Sequence, residues 1–223
     1  MGKSCVKKDK NIRFGSPTKR KLPCQDSNTP MSAVEVVDAD TDDSMRVVVA
    51  KLKEQDGCLL SFRGSDNIVN WIRNVETWGE DIQSEFPACK GCSLHYGFKT
   101  IWDSARDKVI TALGKVGCST KTSQNLLYIT GHSMGAAVTH IAMFELHAIG
   151  FVMAKTYSFE APRVGNLEFA ETFASFFSKK IPVFRITHHE DPVVHVPMMD
   201  LGYRHYFIHI STLDLSYELY ESY

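Results

Sequence analysis

Residues 126–137 read LLYITGHSMGAA, a short apolar run that leads into a glycine-flanked serine and then into small residues. The run from Leu126 to Thr130 is typical of a buried strand, and Ala136 to His147 has the composition of a helix. Glycines on both sides of Ser133 let strand and helix approach closely, while a strained turn exposes the serine hydroxyl. This order predicts an α/β fold with a functional serine at a strand end.

The same alternation of strands and helices continues on both sides of the turn. The predicted strands are residues 45–53, 58–63, 154–159 and 182–187, and the predicted helices are residues 98–113 and 167–178. A turn-like EQDG joins the first two strands into a hairpin, whereas strands separated by helices pair in parallel. We therefore expect a three-layer α/β domain with a mostly parallel central sheet and an N-terminal antiparallel hairpin.

Composition favours one ordinary globular domain. The chain has 223 residues, a mass of 25.1 kDa, 43% hydrophobic residues and a formal net charge of -1. A near-neutral chain is not drawn to nucleic acid or to an anionic membrane surface, so small or neutral substrates fit better. Residues 1–30 are crowded with lysine and arginine and are expected to form a mobile segment before a domain of residues 31–223. No apolar run follows Met1, so we expect nothing in this segment to direct secretion or membrane insertion.

Six cysteines are scattered too widely for a small disulfide scaffold. Cys89-Lys-Gly-Cys92 has the spacing of half a zinc site, but no second pair completes four ligands. A local disulfide or two free thiols is the expected state of Cys89 and Cys92. The pairing of the other cysteines stays open.

The chemistry of a serine nucleophile requires a base and an orienting acid. In a fold of this type both follow the serine, the acid before the base. Asp191 comes just after a predicted strand, where ligand-binding loops of a parallel sheet emerge. Competing acids are Glu160, Glu190 and Asp200, and the histidines that follow Asp191 are His195, His205 and His209. Order alone does not choose among them. Met134 begins the helix, so its N–H is the expected oxyanion donor.

Several stretches in order resemble the class 3 lipases, the fungal lipase-like family that also contains feruloyl esterases. They are SFRGS (61–65), LHYGF (94–98), ITGHSMGAA (129–137), EAPRVGN (160–166), HEDPVVHVP (189–197) and GYRH (202–205). The resemblance implies an α/β-hydrolase fold in which Ser133 is the nucleophile, Asp191 the acid and His205 the base. It also implies that Ser65 supplies a second oxyanion contact. Residues 1–44 match nothing in this signature, and Phe207 stands where the family often has a small residue.

The segment after Ser65 resembles the mobile lid of this family. Ile68, Trp71, Ile72 and Val75 form an apolar stripe at helical spacing, with polar side chains opposite. A helix of this kind can cover an apolar cleft in water and turn toward a lipid interface. The alternative is a fixed helix that packs on the core.

The sequence thus predicts a serine hydrolase of carboxylic esters, with a triacylglycerol or another lipid ester as the preferred substrate. The alternatives are a soluble carboxylesterase or feruloyl esterase, and a non-catalytic lipid-binding or signalling module on the same fold. This chemistry requires no metal or organic cofactor. The resemblance and the pair Cys89 and Cys92 favour secretion, whereas the missing signal peptide favours the cytoplasm.

Overall fold

The structure of the protein is a computed structural model. It describes residues 30–40, 45–65, 79–177, 181–188 and 191–205, together with the backbone of residues 208–213 and 216–221. Most of the predicted N-terminal segment (residues 1–29) and the whole predicted lid stripe lie outside these residues. The domain boundary and the lid therefore stay predictions.

The described strands and helices alternate along the chain. They are β1 (Met31–Asp38), β2 (Arg46–Leu52), β3 (Cys58–Phe62), β4 (Gly79–Asp81), β5 (Ser93–His95), α1 (Tyr96–Lys115), β6 (Leu126–His132), α2 (Met134–Ala148), β7 (Val152–Met153), β8 (Thr156–Phe159), β9 (Gly165–Asn166), α3 (Leu167–Phe177), β10 (Val183–His188), β11 (Tyr203–Arg204), β12 (Ile208–Leu213) and β13 (Ser216–Glu221). Short 3-10 helices, Pro192–His195 and Met199–Leu201, lie between β10 and β11.

The central sheet has the strand order β1-β2-β3-β6-β8-β10-β12-β13, with β7 also paired to β6. Strands β3, β6, β8, β10 and β12 run parallel, and antiparallel strands flank them on both sides. β2 and β3 form the predicted antiparallel hairpin. These features confirm the predicted α/β-hydrolase fold with a mostly parallel sheet.

One row of residues across the sheet forms part of the buried core. Val47, Phe62, Gly131, Ser158 and Arg185 lie opposite one another on five consecutive strands, and all five are buried. The ring of Phe62 meets the ring of Trp102 on α1 edge-on, at 6.1 Å between centroids. Because residues opposite each other on neighbouring strands share a face, Arg185 extends into this covered side of the sheet.

A second, antiparallel sheet has the order β11-β9-β5-β4. Helix α3 packs beside it and contacts α2 through aromatic rings, Phe169 on Phe144 at 5.4 Å and Phe173 on His140 at 5.7 Å. The sequence predicted α3 but not this sheet, because its strands are only two or three residues long. Strand β1 was also missed.

Two disulfides join described residues. Cys58 on β3 is bonded to Cys118 just after α1, across a sequence separation of 60. Cys89 and Cys92 are bonded to each other, so of the two predicted states the structure has the local disulfide. Among the helices that the structure describes, none has the length and hydrophobicity that crossing a bilayer requires.

Candidate active site

Ser133 lies on a strained turn between β6 and α2. Its φ is 56°, in the left-handed region that few side chains adopt. The turn is held by backbone hydrogen bonds: Ser133 N–H donates to the Phe159 carbonyl at 2.9 Å, and Ala136 N–H donates to the Ser133 carbonyl at 2.9 Å. The predicted strand, sharp turn and helix are therefore present in this order.

Glycines make this close approach possible. A Cβ at Gly135 would lie 2.5 Å from the Phe62 carbonyl oxygen, and a Cβ at Gly64 would lie 3.4 Å from the Cβ of Ser133. The end of β3 and the segment that follows it therefore contact the turn directly. Any side chain at Gly135 would push the start of α2 away from the end of β3.

The Ser133 side chain is buried, with 1% of the residue exposed. Its Oγ has no hydrogen-bond partner in the part of the chain that the structure describes. The sequence predicted an exposed hydroxyl, and this prediction is wrong for the conformation described. The hydrogen bond that a serine triad needs between Ser133 and a histidine is not formed here among the described residues.

Three strands bring candidate side chains to one edge of the sheet. The strands β6, β8 and β10 are parallel. Ser133 directly follows β6, Glu160 directly follows β8, and Asp191 lies three residues after the end of β10. Parallel strands place such residues on neighbouring loops at the carboxyl edge, where ligands bind in α/β proteins. The structure thus brings the predicted nucleophile and the predicted acid to the same edge.

Asp191 begins a loop that we call the acid loop, residues 191–197. Its Oδ1 accepts a hydrogen bond from Val193 N–H at 2.8 Å, which caps the short helix Pro192–His195. Its own N–H donates to the His188 carbonyl at 3.3 Å. These bonds fix the Asp191 backbone close to the end of β10.

Two buried arginines hold the acid loop by its carbonyl oxygens. Arg185 donates from Nη2 to Val194 and from Nε to Ala161, each at 3.1 Å. Arg163 donates from Nη1 to the carbonyls of Pro197, at 2.8 Å, and His195. Burial lowers the pKa of Arg185 to about 10, with the charge of Arg163 adding to the effect. Burying two cations is costly unless they are paired with oxygens, as they are here.

Neither arginine was among the residues predicted to form the site. Arg163 stood inside the quoted EAPRVGN stretch, and Arg185 stood in a predicted strand. Arg185 alternates with Val183 and Thr187, which are also buried. A charged residue on the apolar side of a strand is a signal for a structural or functional contact, and this signal could have identified Arg185.

His205, the predicted base, follows β11 and is partly buried. Its Nε2 lies 2.9 Å from the Val194 carbonyl oxygen. Since a carbonyl only accepts, Nε2 carries the proton in this bond. Burial lowers the pKa of His205 well below its usual value, and the charge of Arg185 lowers it further. These effects favour the neutral imidazole, and its described partner is the acid loop.

The strand directions explain why His205 does not follow the carboxyl end of a central strand, as Ser133 and Asp191 do. Ser133 and Asp191 follow the carboxyl ends of β6 and β10. His205 instead precedes β12, which runs parallel to β10 and begins opposite Phe184 near the start of that strand. The chain from Asp191 to His205 thus returns toward the amino ends of the strands.

The two predicted oxyanion donors flank the elbow. Met134 is the first residue of α2, and the first N–H groups of a helix have no partner within it. Ser65 comes directly after Gly64, which packs against Ser133. The lid residues Ile68, Trp71, Ile72 and Val75 lie outside the described residues.

One group of carboxylates has the spacing of metal ligands. Among the described residues, Glu85, Asp103 and Glu145 each place an oxygen within 4.8 Å of the others. The ammonium of Lys99 lies 2.9 Å from Glu85 and 2.8 Å from Asp103. This buried lysine already supplies the positive charge that the group requires.

The sequence and the fold are both similar to those of known lipases. Residues 59–201 match the family described as Lipase (class 3). The secreted mono- and diacylglycerol lipase A of Penicillium cyclopium is 33% identical over 147 residues, which is 66% of this chain and 45% of that protein. The secreted mono- and diacylglycerol lipase 1 of Fusarium solani is 33% identical over 168 residues, which is 73% of this chain and 47% of that protein.

The solved structure of a mono- and diacylglycerol lipase from Aspergillus oryzae superposes with a TM-score of 0.71 and 26% identity. The superposed region covers 84% of this chain and 68% of the Aspergillus oryzae lipase. The chain spans about half the length of the curated relatives it matches. The family match extends over both the elbow and the acid loop, and the chain therefore belongs to the class 3 lipase family.

Proposed function

We propose that the chain is a serine hydrolase that cleaves carboxylic esters of lipids through an acyl-enzyme intermediate. The elbow carries this proposal: Ser133 has a φ of 56° between β6 and α2. A side chain in this backbone region costs about 1–3 kcal/mol, and such residues cluster at functional sites. The strained backbone of Ser133 at the N-terminus of a helix, in a class 3 lipase domain, supports its assignment as the nucleophile.

In the first step of this mechanism, Ser133 Oγ attacks the ester carbonyl carbon while a histidine takes the hydroxyl proton. We assign the base to His205 and the orienting acid to Asp191. For this step the His205 imidazole must exchange its hydrogen bond with the Val194 carbonyl for one with Ser133. The protonated base then gives its proton to the departing alcohol, and water activated by the same base releases the acid.

We assign the oxyanion contacts to the N–H of Met134 and to Ser65. The dipole of α2 adds positive potential at Met134, where the tetrahedral intermediate carries its negative charge. The packing of Gly64 against Ser133 supports a position for Ser65 beside the same oxygen. Each preorganised donor of this kind stabilises the transition state by about 3 kcal/mol.

Lipid esters are the proposed substrates because the named relatives are mono- and diacylglycerol lipases. The burial of Ser133 supports a site that must open before an ester enters. We propose that the lid, with Ile68, Trp71, Ile72 and Val75 as its apolar stripe, opens this site in transient contact with a lipid interface.

We also propose that the protein works in an oxidising compartment. Disulfides persist outside the reducing cytosol, and this chain has two between described cysteines. The names of the two relatives, which both include the word secreted, agree with this proposal.

Labelling with a fluorophosphonate, which reacts with an activated serine, tests the nucleophile. The wild type is expected to react and Ser133→Ala to remain unlabelled. Ser158→Ala is the matched control, because Ser158 is also buried but lies within β8. A wild type that does not react would overturn the assignment and favour a non-catalytic lipid-binding or signalling module.

Substrate class is tested with dissolved p-nitrophenyl esters, feruloyl esters and emulsified glycerides. A lipase with a working lid should accelerate when the glyceride passes from solution into an emulsion. Equal rates on dissolved and emulsified substrates, or a preference for feruloyl esters, would contradict the lipase proposal. Either result would indicate a soluble carboxylesterase or feruloyl esterase with the same nucleophile.

A further inference from the structure

Glu160 lies between the strands that carry Ser133 and Asp191. It directly follows β8, which pairs with β6 on one side and with β10 on the other. Its N–H donates to the Ile186 carbonyl at 2.8 Å, while Ser133 N–H donates to the carbonyl of the preceding residue, Phe159, at 2.9 Å. Neighbouring strands are about 4.8 Å apart, so Glu160 is next to the nucleophile at the same edge.

The backbone of Glu160 is strained. Its φ is 50°, and among the described residues only Ser133 shares a positive φ without being glycine. A glycine would adopt this conformation without steric cost, whereas a side chain loses about 1 kcal/mol or more. A glutamate is therefore present at a position where the backbone favours glycine.

The carboxyl group of Glu160 is also incompletely satisfied. Its Oε2 is buried and makes no hydrogen bond within the part of the chain that the structure describes. A buried carboxylate oxygen without a donor costs about 1–3 kcal/mol. The backbone strain and the unsatisfied oxygen both oppose a glutamate here, which favours a role that only its carboxylate fulfils.

The charged and titratable groups around Glu160 include one residue of the proposed site, Asp191. Burial raises the pKa of the Glu160 carboxyl, and the negative charge of Asp191 raises it further. A backbone hydrogen bond from His188 to the carboxyl and the charges of Arg185 and His188, both on β10, act in the opposite direction. On the other side, His132 at the end of β6 lies opposite Phe159. Glu160 and Asp191 are thus two acids close enough to affect each other.

We propose that Glu160 is a positioning residue of this site, whose carboxylate acts together with Asp191 to orient the catalytic imidazole and stabilise its protonated form. This inference rests on the proposed function. When the His205 imidazole exchanges the Val194 carbonyl for Ser133, its N–H would give the buried Oε2 of Glu160 the donor that it lacks. A second carboxylate near the base would also favour the positive charge that the base acquires in the transition state.

The pH dependence of ester hydrolysis tests this role. With dissolved p-nitrophenyl butyrate, Glu160→Gln is expected to lower kcat roughly tenfold to a hundredfold with little change in KM. The acid limb of its pH profile should also move to lower pH, because the variant has no Glu160 proton to gain and its base loses a neighbouring negative charge. Glu168→Gln, an exposed glutamate early in α3, is the control and should behave like the wild type.

Two further variants separate the carboxylate from the backbone. Glu160→Gly relieves the positive φ, so it should raise the thermal midpoint and still lose activity like Glu160→Gln. Glu160→Asp restores a carboxylate and should recover part of the lost kcat. A Glu160→Gly protein with wild-type kcat would overturn the inference, since the carboxylate would then be dispensable.

The final comparison adds Asp191→Asn. If two acids share the role, Asp191→Asn alone should lose less than the about 10⁴-fold that a single orienting acid contributes, and adding Glu160→Gln should remove most of the remainder. If the wild type reacts with a fluorophosphonate and Glu160→Gln keeps the wild-type kcat and acid limb, only this inference fails. If the wild type does not react, the proposed function fails and the inference fails with it.

Discussion

A Cβ at Gly135 would lie 2.5 Å from the carbonyl oxygen of Phe62. Gly135 is the second residue of α2, and Phe62 is the last residue of β3. The opposing atom belongs to the backbone of a central strand, so it cannot turn away as a flexible side chain would. The serine turn therefore depends on the missing side chain at this position.

We predict that Gly135→Ala destabilises the protein by about 2–3 kcal/mol, because the added methyl separates α2 from β3. Fluorophosphonate labelling of Ser133 should fall with it. Gly114→Ala in α1 is the matched control, since a Cβ there meets nothing within 4 Å. Denaturant unfolding should show no loss for Gly114→Ala, and a gain of about 0.5 kcal/mol from its better helix propensity. Equal stability of the two variants would refute the contact argument.

The assignment of the base predicts that His205→Gln is inactive but folded. Glutamine keeps an N–H donor for the Val194 carbonyl, so the acid loop should stay in place, whereas proton transfer is lost. We expect kcat on p-nitrophenyl butyrate to fall about 10⁴-fold or more, with little change in the thermal midpoint. His195→Ala, at an exposed position in the acid loop, is the control and should stay within about twofold of the wild type.

A His205→Gln protein that retains its activity would contradict this assignment. His205 would then support the acid loop through Val194, and another histidine would be the base. His188 ends β10 on the same edge as Ser133 and Asp191, so His188→Ala is the next variant to measure.

The contrast between Ser133 and His205 shows which parts of the site a local sequence pattern could predict. The serine turn depends on neighbours in the chain, a strand before it and small residues after it, so a local pattern was enough. The position of His205 depends on how residues 191–205 return across the fold, which no local pattern contains. The interactions of Arg163 and Arg185 also join segments far apart in sequence, and only the folded chain brings them together.

The burial of Ser133 was missed for the same reason. A turn of this kind exposes its central side chain locally, and distant segments then decide whether anything covers it. The short strands of the second sheet were missed because two or three residues cannot show a periodic pattern. By contrast, α1 was predicted within two residues at each end, because twenty residues repeat the helical spacing several times.

The two disulfides should contribute unequally to stability. The entropy lost by an unfolded chain grows with the length of the closed loop, so the Cys58–Cys118 bond, with a sequence separation of 60, should contribute about 4 kcal/mol. The Cys89–Cys92 bond, with a separation of 3, should contribute about 2 kcal/mol. Urea unfolding of the two double Cys→Ala variants measures these values. A larger loss for Cys89→Ala/Cys92→Ala would contradict the loop-length argument.

We predict that the contribution of Glu145, on α2, to the stability of the folded protein falls as pH rises. Burial raises the pKa of its carboxyl, even though Lys99 and Arg106 act in the opposite direction. The folded protein therefore binds the Glu145 proton more tightly than the unfolded chain does. Stability from this group is fully present below the pKa of an unfolded glutamate and is lost as pH rises through the raised pKa of the folded state.

Glu145→Gln should therefore be more stable than the wild type at neutral pH, because glutamine needs no proton to stay uncharged in this buried position. The difference should shrink toward zero as the pH falls below about 4, the pKa of an unfolded glutamate. Thermal midpoints measured from pH 4 to pH 8 test this, with Glu168→Gln as an exposed control whose midpoint should follow the wild type. A Glu145→Gln protein that is less stable at neutral pH would show that the ion pair with Arg106, at 3.8 Å, outweighs the cost of burying the charge.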